Sequence, residues 1–125
     1  MVISFAVGLG TSAIAQGMSA GDYKTGSEKI AKEYKSSASD CRALPGSLRD
    51  VCLVEAKGAR QVSRAELSAR YRPTQENRQR VTTAKSEARY AVAKEHCSGM
   101  NDVTKDACMR DARAIEILGK DSVKP

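Results

Sequence analysis

The residues best placed to do chemistry in this chain are its four cysteines and its single histidine. Cys41 and Cys52 bracket "CRALPGSLRDVC", and Cys97 and Cys108 bracket "CSGMNDVTKDAC" fifty-six positions later, with ten residues inside each pair. His96 adjoins Cys97, and an imidazole beside a thiolate is the ordinary way to activate a sulfur nucleophile. Neighbours in sequence on a helix, however, project about 100° apart, and a cysteine bonded to a second cysteine has no thiolate to offer. Metal binding would want C-x-x-C or H-x-x-x-H spacing and a thiol–disulfide oxidoreductase would want C-x-x-C; neither occurs. The acidic pairs Asp106 with Asp111 and Glu28 with Glu33 do not share a helix face, and they lie among lysines and arginines. The expectation is two structural disulfides, no catalytic residue, no metal and no cofactor.

The compartment supports that expectation. Residues 1–15 carry no charge and combine an apolar run from Val2 to Val7 with the small-residue ending Ala13-Ile14-Ala15, the h-region and A-x-A pattern of a secretory signal peptide. No basic n-region precedes the run, so the signal is incomplete or the true start lies upstream of Met1. An exported chain meets an oxidising compartment, where an even number of cysteines at repeated spacing reads as a disulfide framework. Of the three connectivities open to four cysteines, Cys41–Cys52 with Cys97–Cys108 gives two identical local loops and suits the repeat best.

Those loops need elements to hold them. A shift of fifty-six positions carries Tyr34 onto Tyr90, Asp50 onto Asp106 and Ala56 onto Ala112, with Arg49 or Lys105 just before the matched Asp, so the chain reads as a duplicated unit. Each unit is helix, tight turn, helix, with Pro45-Gly46 turning the first and Gly99 with Asn101-Asp102 the second. Expected helices span residues 21–40, 48–71, 74–97 and 103–119. A capping box of Ser47 and Asp50 would start the second, and Asn101 or Asp102 would cap the fourth. The two repeats cover 21–71 and 74–119, with a flexible lead at 16–20 and a flexible tail at 120–125. Pro73 ends the second helix. The sequence leaves two all-α forms open: an antiparallel four-helix bundle, or a long kinked central helix with a stapled hairpin at each end.

The core available to such a fold is thin. Beyond the signal there is no Trp or Phe, and the helical stripes Val51, Val54, Gly58, Val62, Ala65, Ala69 and Val81, Ala84, Ala88, Ala91, Val92 are built from small residues. At roughly 25 cal/mol per Å² of buried apolar area, such stripes stabilise little, which makes crosslinks valuable.

Charge is the feature most suggestive of function. Nine basic residues against three acidic ones lie between Lys57 and Arg89, and they account for the whole net charge of +6. Arg70, Arg72, Arg78 and Arg80 flank Pro73 and are the anion-binding candidates, because the guanidinium fork suits phosphate and carboxylate. In an exported protein the partners implied are anionic lipid head groups, lipopolysaccharide, acidic polymers or DNA, although no aromatic residues interleave for base stacking.

The segments "DVCLVEAKGARQVSRAELSARYRPT" and "AKSEARYAVAKEHC" resemble a group of small, uncharacterised proteins exported by proteobacteria. Members carry two Cys-bearing helical repeats around a Y-x-P-T junction and are sometimes labelled cell-envelope or TolA-like. The resemblance runs from about Tyr34 to Ala114, with the cysteine spacing, "EAKG" and "RYRPT" its most specific parts. It implies an all-α form and a periplasmic or envelope location, and it transfers no catalytic residue. Likeness to eukaryotic twin Cys-x9-Cys hairpins is one of style only, since each helix here brings one cysteine. The functional expectation is a non-enzymatic accessory protein of the periplasm or cell envelope that binds an anionic partner through its basic central region. The alternative is a chaperone or inhibitor that takes a periplasmic protein through Ala-rich helical faces, with a homo-oligomer among the forms those faces allow.

Overall fold

A computed structural model describes residues 17–121. The signal-peptide reading of residues 1–15, and the last four residues of the chain, lie outside that range. The described chain forms four helices: α1 Ala20–Arg42, α2 Gly46–Tyr71, α3 Gln75–Cys97 and α4 Asp102–Asp121. The fold is all-α, and the Cys41–Cys52 and Cys97–Cys108 disulfides staple α1 to α2 and α3 to α4, with Cα separations of 5.4 and 5.7 Å. Each closes a loop short enough to stabilise by about 3 kcal/mol through the unfolded chain, on the entropic account.

Between α2 and α3 the chain turns back and does not kink. Arg72 takes an extended conformation before Pro73, and Thr74 caps α3 by accepting from the Asn77 amide through its hydroxyl at 3.1 Å. The Asn77 side chain donates to the Arg72 carbonyl at 2.8 Å, tying the start of one helix to the end of the other. Packing runs in sequence order, α1 on α2, α2 on α3 and α3 on α4, and among the described residues no other pair of helices comes together. The antiparallel assembly is therefore an open row with α1 and α4 as its edges.

Several boundaries differ from expectation. Ser19 and Ala20, expected in a flexible lead, form the cap and first residue of α1, because the Ser19 hydroxyl accepts from the Asp22 amide at 3.1 Å. Helix α2 starts at Gly46, ahead of Ser47, so the Ser47–Asp50 capping box does not form. The N-cap is Pro45, extended at φ −83°, with no side-chain hydrogen bond, and Gly46 follows at φ +50°, a left-handed conformation that glycine adopts at little cost. In the second copy Asn101 does cap its helix, accepting from the Thr104 amide at 3.2 Å. Helix α4 continues to Asp121, so its last two residues fall in what was expected to be tail.

The duplication is visible in the packing. Cys41 and Cys97, Ala56 and Ala112, and Ile30 and Ser86 are pairs fifty-six apart, and all six are buried. At the last pair the repeats diverge. In the first hairpin Ile30 and Ser63 line a small cavity of about 120 Å³. In the second, Ser86 faces Gly119, where an added Cβ would come within 2.7 Å of the Ser86 Cβ, and the Ser86 hydroxyl donates to the Glu116 carbonyl at 3.0 Å. A small residue against none lets α3 and α4 approach closely, and the hydrogen bond removes the cost of burying the hydroxyl.

The two stripes foreseen on α2 and α3 face each other, and contact is close at Gly58, where an added Cβ would lie 2.9 Å from the Ala88 Cβ. Gly58→Val should wedge these helices apart and lower stability by about 1–3 kcal/mol, as overpacking does. Gly99→Ala, with nothing within 4 Å of the added carbon, should stay within about 0.5 kcal/mol. Urea unfolding followed by circular dichroism measures both, and equal effects would remove the close-approach account.

Candidate functional site

The four arginines around Pro73 gather at the α2–α3 turn, but they do not act as one cluster. Arg80 pairs with Glu76 one turn earlier at 2.6 Å. The Arg72 guanidinium lies 5.6 Å over the Tyr71 ring. Arg78 donates to the Pro73 carbonyl at 2.7 Å, which orients the side chain without neutralising its charge. Arg70 is exposed beside Glu66, Ala69 and Val81, with no ion-pair partner among the described residues.

Helical geometry then divides the group. On α3, Arg78, Lys85 and Arg89 follow one another at seven and four residues and so share a face. Lys85 reaches Glu66 of α2 at 3.5 Å, and Arg89 lines a shallow groove with Glu55 and Gly58 of α2, which puts that face on the same side of the row as Arg70. Arg80, Glu87 and Lys94 follow the other spacing, and Lys94 lies on the opposite side with Lys57 and Gln61. One open face therefore carries Arg70, Arg78, Lys85 and Arg89, with only Lys85 paired to an acid. The other carries Arg80, whose charge Glu76 balances, together with Lys57, Arg64 and Lys94. Lys85 and Arg89 were legible as basic residues; their membership in a site follows only once α2 and α3 are set side by side.

A second feature was not foreseen. Between the two stapled turns, Leu44, Leu48, Val51 and Met100 border a cleft of about 590 Å³ rimmed by Asp50, Glu55, Glu95 and His96. Leu48 is 62% exposed although it is large and apolar. Helical periodicity could not find this cleft, because its walls come from two turns separated by a whole hairpin.

Elsewhere the polar interior is small. The Arg60 guanidinium stacks 3.9 Å over the Tyr34 ring from the neighbouring helix, an interaction worth about 0.5–2 kcal/mol, while its Nε is shut from solvent with no hydrogen-bond partner among the described residues. Tyr90, the repeat's equivalent of Tyr34, sits 5.9 Å below Lys94 of its own helix.

Cys97 is fully buried and bonded to Cys108, so its sulfur has no thiolate to share with His96. No group of three or more potential metal ligands assembles among the described residues. None of the described helices is long and apolar enough to cross a membrane. The disulfides belong to an oxidising, extracytoplasmic setting.

Comparison with protein-family models, with curated proteins and with solved structures finds no match to this chain.

Intact-mass analysis of non-reduced protein should show four hydrogens lost, one pair for each disulfide, and no gain on alkylation. Peptide mapping should recover only Cys41 linked to Cys52 and Cys97 linked to Cys108. A labelled Cys97 would reopen thiol chemistry.

Proposed function

We propose that this protein is a non-enzymatic accessory of the bacterial periplasm or cell envelope that binds an anionic lipid or polymer through the α2–α3 face. The observation that carries this reading is the set Arg70, Arg78, Lys85 and Arg89, contributed by two helices to one open side of the row, with a single acid partner among them. Such a surface attracts phosphate-bearing head groups with about 1 kcal/mol per basic residue near the membrane plane. Arginine adds bidentate hydrogen bonding to that attraction. The paired disulfides, the signal-like residues 1–15 and the resemblance to exported two-repeat proteins all support an envelope location.

A second reading rests on the cleft between the stapled turns. Its apolar floor and acidic rim would suit a protein segment with apolar and basic side chains, as a chaperone or inhibitor requires. The Ala-rich stripes of α2 and α3 are less suited, because they pack on each other.

The two readings separate by salt and by mutation. Vesicles containing phosphatidylglycerol should bind the protein, and vesicles of phosphatidylcholine alone should not, with affinity falling as salt rises. Replacing Arg70, Arg78 and Arg89 with alanine should remove about 3 kcal/mol, roughly a hundredfold in affinity. Arg80→Ala, on the far face and balanced by Glu76, should change little. A loss from Arg80→Ala of about a third of that from the triple change, the same per charge removed, would mean that net charge alone acts, and salt-insensitive binding lost on Leu48→Asp would favour the cleft.

A further inference from the structure

An open row of helices has two edges, and here they differ in kind. The outward side of α1 carries Glu28, Lys32, Lys35 and Ser39, all exposed and polar. The outward side of α4 is apolar except for the exposed Arg110 at its centre: Val103 is 84% exposed, Leu118 71% and Ile117 57%, with Ala107 and Ala114 exposed between them. Among the described side chains of α4 only Ala112 is buried against the rest of the protein. The helix thus turns most of its apolar side chains away from the chain's own core.

The spacing of that face is specific. Val103, Ala107, Arg110, Ala114 and Ile117 recur at alternating intervals of four and three, the seam of a helix that pairs with another helix. Asp106 and Arg113 lie two turns apart along one flank of the seam, both exposed, and neither has an ion-pair partner among the described residues. A two-fold axis perpendicular to the helix reverses its direction and keeps each flank on its own side. Such an axis carries Asp106 onto Arg113 of a second copy, and Arg113 onto its Asp106. A parallel arrangement would instead set Asp106 against Asp111, a like-charge contact that selects against it.

We propose that α4 is a self-association edge, pairing antiparallel with α4 of a second copy about a two-fold axis. In that register Val103 packs against Ala114, Ile117 reaches toward the exposed Met100 at the partner's turn, and Asp106 pairs with Arg113 twice by symmetry. Alanine at 107 and 114 lets the two helices approach closely, as small residues do between α2 and α3. The product is a longer row whose ends are the two polar α1 edges, and its outer edges offer no further apolar seam for growth.

Sedimentation equilibrium on the full, disulfide-intact chain, from micromolar to several hundred micromolar, tests this. The expected result is a reversible dimer. Val103→Asp should give a monomer with unchanged helical circular dichroism. Asp106→Arg or Arg113→Asp alone should raise the dissociation constant about tenfold, and the double exchange should return it to within about threefold of the original, because the pair is restored with its signs reversed. The same dimer should form in a chain beginning at Gln16. Three results would each overturn the proposal: a monomer throughout the range, a dimer indifferent to the charge exchange, or one that disappears with residues 1–15, which would name that apolar segment as what covers α4.

Discussion

Two covalent bonds brace a core that is thin in noncovalent contact. In a row of four helices no helix is surrounded on all sides, so each can bury only the strip that meets its neighbour. The strips are made mostly of small side chains, Ala, Gly, Ser, Cys and Val, and the buried set includes just two large aliphatic side chains, Ile30 and Leu67. Cys41 and Cys97 are themselves among the most buried side chains. Each therefore serves as the apolar plug that closes the turn end of its hairpin and as the crosslink that keeps the plug in place. The common register of the two hairpins, with equivalent cysteines and alanines buried fifty-six residues apart, follows from that clamp.

No disulfide joins α2 to α3, and their junction relies on different physics. Asn77, Thr74 and Arg78 supply hydrogen bonds to a turn whose proline has no amide of its own. Beyond it, Gly58 against Ala88 brings the backbones close enough for dispersion contact along the length of the pair. The stretch from Lys57 to Arg89, which runs through these two helices and their turn, also carries the chain's whole positive surplus, and a row leaves both of their broad sides in solvent. Repulsion among the basic residues is reduced by sorting them onto two faces and by local pairs such as Arg80 with Glu76. Uncompensated charge is left on both sides, as Arg70, Arg78 and Arg89 on one and as Lys57, Arg64 and Lys94 on the other.

The edges of a helical row pose the problem that the edges of a β-sheet pose, since each is a surface prepared for one more element. Charge on α1 blunts one edge. On α4 the apolar seam is left open, and its flanking Asp106 and Arg113 give it a direction. The same openness that makes the core thin thus creates both the broad basic face and the seam, and a closed bundle would have hidden part of each.

The local parts of this structure were legible in the residues. Of the three connectivities open to four cysteines, the doubled ten-residue spacing made Cys41–Cys52 with Cys97–Cys108 the most economical, and the structure has that pairing. The helices and the break at Pro73 followed from apolar period and from the missing proline amide. Finer local choices did not follow: Ser47 was passed over as a cap because Pro45 and left-handed Gly46 start α2 earlier. Periodicity reports the angle of a residue about its own helix axis, and it says nothing of where the next axis lies. Only the packed structure could therefore decide that Pro73 makes a turn, that Arg80 stands apart from Arg70, Lys85 and Arg89, that the two stapled turns border a cleft, and that α4 is left as an apolar edge.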